Sequence, residues 1–314
     1  MNDHLPIPNT FHFTFGLRPQ KEPFHLAYYL CLASCLNINR PDAIFFHHYH
    51  EPYGRYWDMI RERLILSRVE PVELVEKFRY ADKFIEKHLT YAHHADFIRL
   101  EKLLETGGVY ADIDTLFVTP YPAGLFAKPF VLGREDPIRC TKTGEMKQSL
   151  CNALIFSRPR SAFCRLWFEK MAEAFDGTWS NHSTLLPQQL SEQHPEWLHV
   201  EPKQSFYSYM WTPGDLRRLF EECEAAPAGA YSIHLWAHLW WARNRRDFSN
   251  FHAGKISEGY IRRVDTTYNL LARPHLPPPE ATSLFFDFSA IRAILHRKRR
   301  AAPTARTPKD IPPG

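Results

Sequence analysis

The amino-acid sequence predicts an α/β fold in which helices cover the faces of a sheet. In the N-terminal part, segments rich in β-forming residues alternate with segments of helical periodicity, as in parallel sheets with crossover helices. A longer helical segment then ends at Gly107-Gly108 and is followed by another apolar, strand-like run. The chain has 314 residues, 44% of them hydrophobic, which is enough for one sizeable domain with a buried core.

The N-terminal elements follow in a regular order. Strands are expected at residues 10–15, 43–48 and 64–71, with helices between them at residues 23–39 and 53–63. In open parallel sheets, ligands bind at the carboxyl ends of the strands. A binding site is therefore expected where the first strand ends.

The segment at residues 92–119 changes from helical to extended. Glycines at 107–108 stop the helix because glycine reaches backbone conformations that a side chain would obstruct. In the extended stretch that follows, alternate side chains share a face, so Asp112 and Asp114 point the same way and Ile113 points into the core. Two adjacent carboxylates repel each other unless a cation lies between them, which predicts bound Mg²⁺ or Mn²⁺ carrying a substrate phosphate.

The same segment resembles the DXD sugar-binding region of retaining nucleotide-sugar glycosyltransferases. That group includes initiating mannosyltransferases, α-1,4-galactosyltransferases, bacterial capsular polysaccharide transferases and the catalytic domains of large clostridial toxins. Eleven positions fill the family pattern without a gap: Ala95, Asp96, Phe97, Ile98, Arg99, Gly107, Gly108, Val109, Tyr110, Asp112 and Asp114. The resemblance implies a GT-A-type fold, a Rossmann-like mixed sheet flanked by helices in a single catalytic domain.

The resemblance also implies roles for individual residues. It puts Asp96 and Arg99 beside the sugar and its diphosphate, where the carboxylate would accept sugar hydroxyl hydrogens and the guanidinium would bind phosphate or sugar oxygens. Because one helical turn separates these residues, a surface ion pair of little energetic weight is the alternative. Tyr110 lies on the same face as Asp112 and would either contact the donor or pack against the helix.

Two further positions concern the substrate. Family members commonly bind the nucleotide base at the end of the first strand, so Phe13 or Phe15 would stack on it, unless both are core residues. A strand is expected at residues 150–157, and the family commonly has Asn-Ala before this strand. Asn152 is therefore expected at the reactive face of the sugar or, alternatively, as a structural asparagine at a strand start.

The later part of the chain is predicted to contain a strand at residues 130–133, a loop at 139–146 and a helix at 161–175. Residues 181–187 replace a Gly-Pro-rich segment that family members usually carry, and no role is assigned to them. Residues 230–241 resemble the family's final pattern, Ala-x-His-x-Trp. The resemblance implies that His234 and Trp236 fold back over the diphosphate, with His234 as a third metal ligand. An aromatic core strand is the alternative.

Two histidine groups do not have the spacing of usual metal sites. His47, His48 and His50 are interpreted as partly exposed histidines at a strand end. The histidines at 93–94 are adjacent in a helix, so their side chains point to different faces. Neither group is predicted to bind a metal.

The bulk composition narrows the function classes. The net charge is +4, from 39 basic and 35 acidic residues, which is too balanced for a nucleic-acid binder. Cys31 and Cys35 fit one face of a helix, which favours buried thiols over a disulfide framework. The N-terminus lacks the basic start and apolar core of a signal peptide, and the apolar run at 26–36 is too short to span a bilayer. A cytoplasmic protein in a reducing compartment is expected.

The composition changes beyond Arg273, so the catalytic domain is assigned to residues 1–272 and an appendage to residues 273–314. Prolines make a stiff linker, residues 283–295 could form a short amphipathic helix, and a basic run leads into a disordered tail. An apolar helix beside a basic run fits peripheral docking on the inner face of a membrane. A helix packed on the domain, with a solvated basic tail, fits equally well.

Together these features predict a metal-dependent, retaining glycosyltransferase. It would move a hexose from a UDP- or GDP-sugar to a hydroxyl of a glycan or glycolipid acceptor, in cell-surface polysaccharide or lipopolysaccharide synthesis. Asp112, Asp114, Arg99 and Asn152 are expected to be catalytic, and Asp112, Asp114 and His234 to hold Mn²⁺ or Mg²⁺. No second carboxylate is obvious as a covalent nucleophile, so front-face attack by the acceptor hydroxyl is expected.

Two alternatives remain open from the sequence. Residues 112–115 also spell the D-x-D-x-T motif of haloacid-dehalogenase-type phosphatases, although only three residues separate Asp112 from the two glycines, where that family has a long apolar strand. A non-catalytic nucleotide-sugar-binding relative is the second alternative, and the intact aspartate pair argues against it.

Overall fold

The structure is a computed structural model that describes residues 6–83, 85–140, 143–237 and 255–279. The strands are β1 (Thr10–Thr14), β2 (Ala43–His48), β3 (Ile65–Arg68), β4 (Gly108–Ala111), β5 (Thr115–Phe117), β6 (Phe130–Arg139), β7 (Met146–Ser157), β8 (His199–Glu201) and β9 (Ser232–His234). The helices are α1 (Leu26–Ile38), α2 (Arg55–Ile60), α3 (Glu73–Lys77), α4 (Thr90–Thr106), α5 (Ala123–Phe126), α6 (Ala162–Ala174), α7 (Leu186–Gln193), α8 (Lys203–Phe206), α9 (Pro213–Phe220), α10 (Glu258–Arg263) and α11 (Thr267–Ala272).

Seven of these strands form the central sheet, in the order β3-β2-β1-β4-β7-β6-β8. Strands β1 to β4 pair in parallel, β7 is antiparallel to both β4 and β6, and β8 is parallel to β6. A separate antiparallel pair is formed by β5 and β9. The predicted α/β class, a mixed sheet flanked by helices in one domain, is confirmed.

The N-terminal elements agree with the sequence prediction except at some ends. The first helix was expected from residue 23, but α1 begins at Leu26, because His25 caps it by accepting a hydrogen bond from the Ala27 N–H group (3.1 Å). The helix expected at 53–63 divides into α2 and a 3₁₀ turn at Arg61–Arg63. The parallel alternation of strands and helices is nevertheless as predicted.

Strands β6 and β7 extend well beyond the segments predicted for them. They pair in an antiparallel hairpin from Phe130–Ser157 out to Arg139–Met146, the two end residues of the expected loop. Polar residues without clear periodicity can continue a strand when a partner strand satisfies their backbone hydrogen bonds. Asn152 therefore lies within a strand rather than at a strand start.

The core lies on both faces of the sheet, and it includes the first strand. Phe13 has no exposed surface and meets the ring of Phe117 edge-to-face, with 6.3 Å between the ring centroids. A ring without exposed surface cannot stack on a ligand, so the predicted role of Phe13 in base binding is wrong. Phe15 instead lines the pocket at this end of the sheet.

A buried histidine pair connects β1 and β2. His12 Nε2 lies 2.9 Å from the Gly107 carbonyl oxygen, so it donates, and His12 Nδ1 then accepts from His47 Nε2 at 3.0 Å. His47 is 2% exposed and His48 9% exposed, so the prediction of partly exposed histidines is wrong for both. Burial lowers the pKa of His12 to about 4 and that of His47 to about 3, which keeps both rings neutral.

We expect this pair to make the fold sensitive to acid. Because the pKa of each imidazole is lower in the folded state than its unfolded value of about 6.5, its contribution to stability is complete above that pH and is lost as the pH falls toward the folded value. Each ring should reduce the free energy of unfolding by up to about 1.4 kcal/mol per pH unit in this window. Urea unfolding at a series of pH values should show a shallower slope for His12→Phe/His47→Phe than for the wild type. Equal slopes would contradict this prediction.

Residues after α11 still contact the domain. The His275 ring is buried and lies 3.0 Å from the Asn37 side-chain amide in α1. The predicted boundary at residue 272 remains a prediction, and the expected helix at 283–295 and basic tail lie outside the described residues. Within the described ranges, no helix has both the length and the apolar character needed to cross a bilayer.

Candidate active site

One pocket lies where β1 and β4 end, and it brings together most of the residues singled out from the sequence. Its lining includes Phe15, Asp96, Arg99, Tyr110, Asp112, Asp114, Asn152, His234 and Trp236. Residues from β6 and from the segment between α6 and α7 complete the wall. The pocket thus lies at the carboxyl end of the first strand, where a binding site was expected.

The two aspartates project from a tight turn rather than from an extended strand. Strand β4 ends at Ala111, and the Thr115 N–H group donates to the Asp112 carbonyl oxygen at 3.1 Å. The Asp114 carbonyl oxygen accepts from the Leu235 N–H group at 2.9 Å, which holds the turn against β9. The prediction of an extended segment through Asp114 is therefore wrong, and Ile113 is only partly buried and lines the pocket.

Asp112, Asp114 and His234 converge in the pocket. One ligand atom from each lies within 4.8 Å of the others. His234 is carried by β9, opposite Thr115 of β5, and its Nε2 atom lies 3.1 Å from Asp114 Oδ1 and 3.7 Å from Asp112 Oδ2. Two carboxylates and one imidazole are a donor set that fits a divalent metal ion.

The charges of this triad are mutually dependent. Burial raises the pKa of Asp112, and the neighbouring Asp114 raises it further, although Arg99 and His234 oppose this. Burial alone would lower the pKa of His234, but the Asp114 carboxylate reverses this and raises it. The two carboxylates thus favour a positive charge close to them, on the His234 ring or on a cation bound in its place.

Arg99 and Asp96 form a buried network with Asn152. Arg99 Nη2 lies 3.1 Å from Asp96 Oδ1 and 3.5 Å from Asp112 Oδ1, and Nη1 donates to the Asn152 carbonyl oxygen. The Asn152 side-chain amide donates to Asp96 Oδ1 at 2.7 Å. Arg99 is 4% exposed and Asp96 6%, so the alternative of a surface ion pair is wrong. The Tyr110 hydroxyl donates to Asp112 Oδ1 at 2.8 Å and connects this network to the triad.

His182 completes the network from a segment to which the sequence assigned no role. It lies in a π-helical turn, Asn181–Leu185, has no exposed surface, and its Nε2–H group donates to Asp96 Oδ2 at 2.9 Å. Burial would raise the pKa of Asp96, but Arg99 and then His182 lower it. A single histidine in a polar segment gives no signal in the sequence that it reaches a residue 86 positions away.

Replacing His182 with phenylalanine should destabilise the protein. The substitution leaves Asp96 Oδ2 without its buried donor, which should reduce the free energy of unfolding by about 1–3 kcal/mol. Urea unfolding at neutral pH measures this loss. The matched control is His194→Phe, at a histidine whose side chain is 33% exposed and stacks on Trp197. Equal losses in the two variants would contradict a special role for the His182–Asp96 bond.

Trp236 forms the wall beside the triad. Its backbone has φ of 54°, in the left-handed region that side chains disfavour, and its Nε1–H group donates to the Tyr209 carbonyl oxygen at 2.9 Å. The ring centroid lies 4.4 Å from that of His234. Strained backbone of this kind persists where the surroundings fix it and is frequent at functional sites.

The pocket also contains a carboxyl group that the sequence analysis missed, that of Glu135 in β6. On the β1 side of the pocket, where Phe15 also lies, the Arg18 guanidinium is 4.7 Å from the ring centroid of Tyr91. The lining thus combines the acidic triad with aromatic rings and a cation. This arrangement suits a ligand that combines an aromatic base with phosphates and a sugar.

Comparison with known proteins connects this site to sugar transfer. Residues 60–131 match the family described as "Glycosyltransferase sugar-binding region containing DXD motif". The chain is 31% identical over 284 residues to "Glucan organizing enzyme 1" of Cryptococcus neoformans var. grubii, an alignment that covers 87% of this chain and 72% of the relative. Both the DXD turn and the Arg99–Asp96 helix fall within the family match.

Solved structures with similar architecture include two glycosyltransferases. The galactosyltransferase LgtC, in complex with donor and acceptor sugar analogs, has a TM-score of 0.48 and 14% identity, covering 86% of this chain and 98% of its own. The apo form of the glycosyltransferase GlyE from Streptococcus pneumoniae TIGR4 has a TM-score of 0.43 and 8% identity, covering 93% and 64%.

Proposed function

This chain belongs to the glycosyltransferases whose sugar-binding region contains a DXD motif, and we propose that it transfers a hexose from a nucleotide-diphospho-sugar with the help of a divalent metal ion. The observation that carries the proposal is the convergence of Asp112, Asp114 and His234 within 4.8 Å, in the pocket that also holds Arg99 and Asp96. Family membership also sets aside the phosphatase and the non-catalytic binding protein as alternatives.

The triad suits a metal that accepts both oxygen and nitrogen ligands. Mg²⁺ and Mn²⁺ both bind carboxylates, but Mg²⁺ prefers oxygen ligands in near-ideal octahedral geometry. The imidazole of His234 therefore favours Mn²⁺ over Mg²⁺. When bound, such an ion would neutralise the charge that develops on the diphosphate as the bond to the sugar breaks.

The chain's own residues would bind and orient the donor. Arg99 has a guanidinium fixed by Asp96 and Asp112, and it would add positive charge beside the diphosphate. Asn152 Oδ1 is buried and has no hydrogen-bond partner among the described residues, so it is available to accept a sugar hydroxyl hydrogen. Trp236 would exclude water from the side of the triad.

The residues on the β1 side of the pocket support binding of the nucleotide base. Phe15 and Tyr91 present rings there, and Arg18 supplies a cation. We propose that the base of a UDP- or GDP-sugar binds on this side, with Phe15 in the role predicted for Phe13. The bound donor would then extend along the edge of the sheet, with its base near β1 and its sugar near β7.

The acceptor is proposed to be a hydroxyl group of a glycan or glycolipid in cell-surface polysaccharide synthesis. The name of the fungal relative, a glucan organizing enzyme, supports a glycan. Retention of the anomeric configuration by front-face attack is proposed from the family resemblance. We also propose a cytoplasmic location, from the N-terminus and the cysteines, and peripheral membrane contact through the tail, which lies outside the described residues.

The test is a donor screen. Purified protein with Mn²⁺ is incubated with a panel of UDP- and GDP-sugars, and release of free nucleotide is measured with and without glucan oligosaccharides. Release from one donor, abolished by a chelator and restored by Mn²⁺, would support the proposal and identify the sugar. NMR of the product would give its anomeric configuration. Neither binding nor release with any donor would refute the nucleotide-sugar reaction.

A further inference from the structure

Glu135 differs from its two neighbours in β6 by lacking a partner. Arg134 Nη1 donates to Gln188 Oε1 at 2.6 Å, and Asp136 accepts from Lys203 Nζ at 2.7 Å. The Glu135 carboxyl group has no hydrogen bond or ion pair within the part of the chain that the structure describes. The strand register shifts on both sides of Arg134 and Glu135, and such bulges re-aim a side chain next to active sites.

The unpaired carboxyl group lies in the wall of the donor pocket. It is half-buried, and its charge acts on His234 of the triad and on Tyr207, whose ring stacks on that of His234. Burial raises the pKa of Glu135 to about 8, which reflects the cost of holding a carboxylate there without a partner. A group that is costly to the fold and directed into a cleft is typical of a functional position.

The position of Glu135 limits what it can contact. It is not one of the three converging metal ligands, and its strand lies two strand spacings, roughly 10 Å, from the strand that leads to the DXD turn. In its ionised form this group would repel a diphosphate, whereas in either protonation state it accepts hydrogen bonds from hydroxyl groups. The hydroxyl-rich part of the donor is the sugar, which is joined directly to the diphosphate.

We propose that Glu135 is a substrate-binding residue that hydrogen-bonds a hydroxyl group of the transferred sugar. This assignment rests on the proposed function of the pocket. Strand β6, which carries Glu135, pairs with β7, which carries Asn152. The two side chains would therefore bind the sugar from adjacent strands. Glu135 would thereby select among sugars that differ in the orientation of one hydroxyl group, because a mismatched sugar leaves the carboxyl group unpaired.

The test separates sugar binding from nucleotide binding. Calorimetry with Mn²⁺ measures the affinity of the full chain for UDP and GDP and for UDP-glucose, UDP-galactose and GDP-mannose. Glu135→Ala should weaken binding of the preferred nucleotide sugar by about tenfold or more and leave binding of the free nucleotide unchanged. Glu135→Gln, whose side chain can still hydrogen-bond a hydroxyl group, should lose less affinity for the nucleotide sugar than Glu135→Ala. Glu145→Ala, at an exposed glutamate, is the matched control.

Thermal unfolding distinguishes this role from a structural one. Because the carboxyl group is unpaired in the fold, Glu135→Gln should keep or raise the melting temperature, whereas a structural residue would lower it. Equal loss of affinity for nucleotide and nucleotide sugar, or no loss for either, would overturn the assignment while leaving the proposed function intact. A wild-type protein that binds none of these ligands would overturn both.

Discussion

Replacing Asp114 with asparagine is expected to reduce nucleotide-sugar turnover by about 10²–10³-fold. Asp114 Oδ1 faces His234 and Oδ2 accepts from the Ala237 N–H group at 2.7 Å, so asparagine keeps the shape of the turn. It removes the negative charge, and its amide nitrogen would face either a metal ion or the Ala237 donor. The measurement is the rate of nucleotide release as a function of Mn²⁺ concentration.

Three controls make this result specific. Asp58→Asn, at an exposed aspartate in α2, should retain wild-type turnover. Asp112→Asn should also be impaired, and its side chain, 28% exposed against 10% for Asp114, should leave the fold less affected. Urea unfolding of each variant separates lost metal affinity from lost structure. Turnover of Asp114→Asn within tenfold of wild type at saturating Mn²⁺ would contradict the assignment of Asp114 as a metal ligand.

Residue spacing alone predicted only the part of the site that is encoded by short-range pattern, whereas the predicted residues beyond β4 came from the family resemblance. Helix α4 brings Asp96 and Arg99 to one face, and Gly107 and Gly108, both with positive φ, turn the chain directly into β4. These relations depend on residues close in sequence. Asp112 of the DXD turn therefore lies 3.5 Å from Arg99, in the pocket that spacing predicted Asp96 and Arg99 to share.

The turn itself illustrates what the local pattern missed. An isolated Val109–Asp114 stretch has the composition of a strand, but β4 ends at Ala111 because β7 and β9 supply hydrogen bonds at fixed points. The Asp112 N–H group donates to the Ala153 carbonyl oxygen at 2.8 Å, and Leu235 donates to Asp114. Partners 41 and 121 residues away determine this conformation, and no window of sequence contains them.

The sequence also could not decide which of two nearby phenylalanines reaches the pocket, for a similar reason. Phe13 and Phe15 are separated by one residue, yet Phe13 is enclosed in the core, and Phe15, just past the end of β1, reaches the pocket. The end of the strand determines which ring lines the pocket, and strand ends depend on the neighbouring strands. His182 and Glu135 reach the site through a π-helical turn and a register shift, which are irregularities without a sequence signature.

Arg99→Ala is expected to be the most destabilising single substitution in the site, reducing the free energy of unfolding by about 3–5 kcal/mol. Arg99 faces Asp96 and Asp112 and lies 4.6 Å from the ring centroid of Tyr110. Alanine would leave the buried carboxylate of Asp96 and the partly buried carboxylate of Asp112 without their shared cation. Arg99→Lys keeps the charge but loses the planar fork, so an intermediate loss is expected.

The pH dependence gives this prediction a second, independent readout. With Arg99 present, the pKa of Asp96 is lowered, so its ionised form stabilises the wild type above the unfolded pKa of about 4. Without Arg99, burial dominates and should raise that pKa, so the variant regains stability as acid neutralises the carboxyl group. The difference in the free energy of unfolding between wild type and Arg99→Ala should therefore become smaller from neutral pH toward about pH 5. Urea unfolding at both pH values measures this, with Arg68→Ala, an exposed arginine, as the control expected to change stability by less than about 0.5 kcal/mol. A constant difference at both pH values would mean that Arg99 stabilises the fold through packing and not through the buried carboxylates.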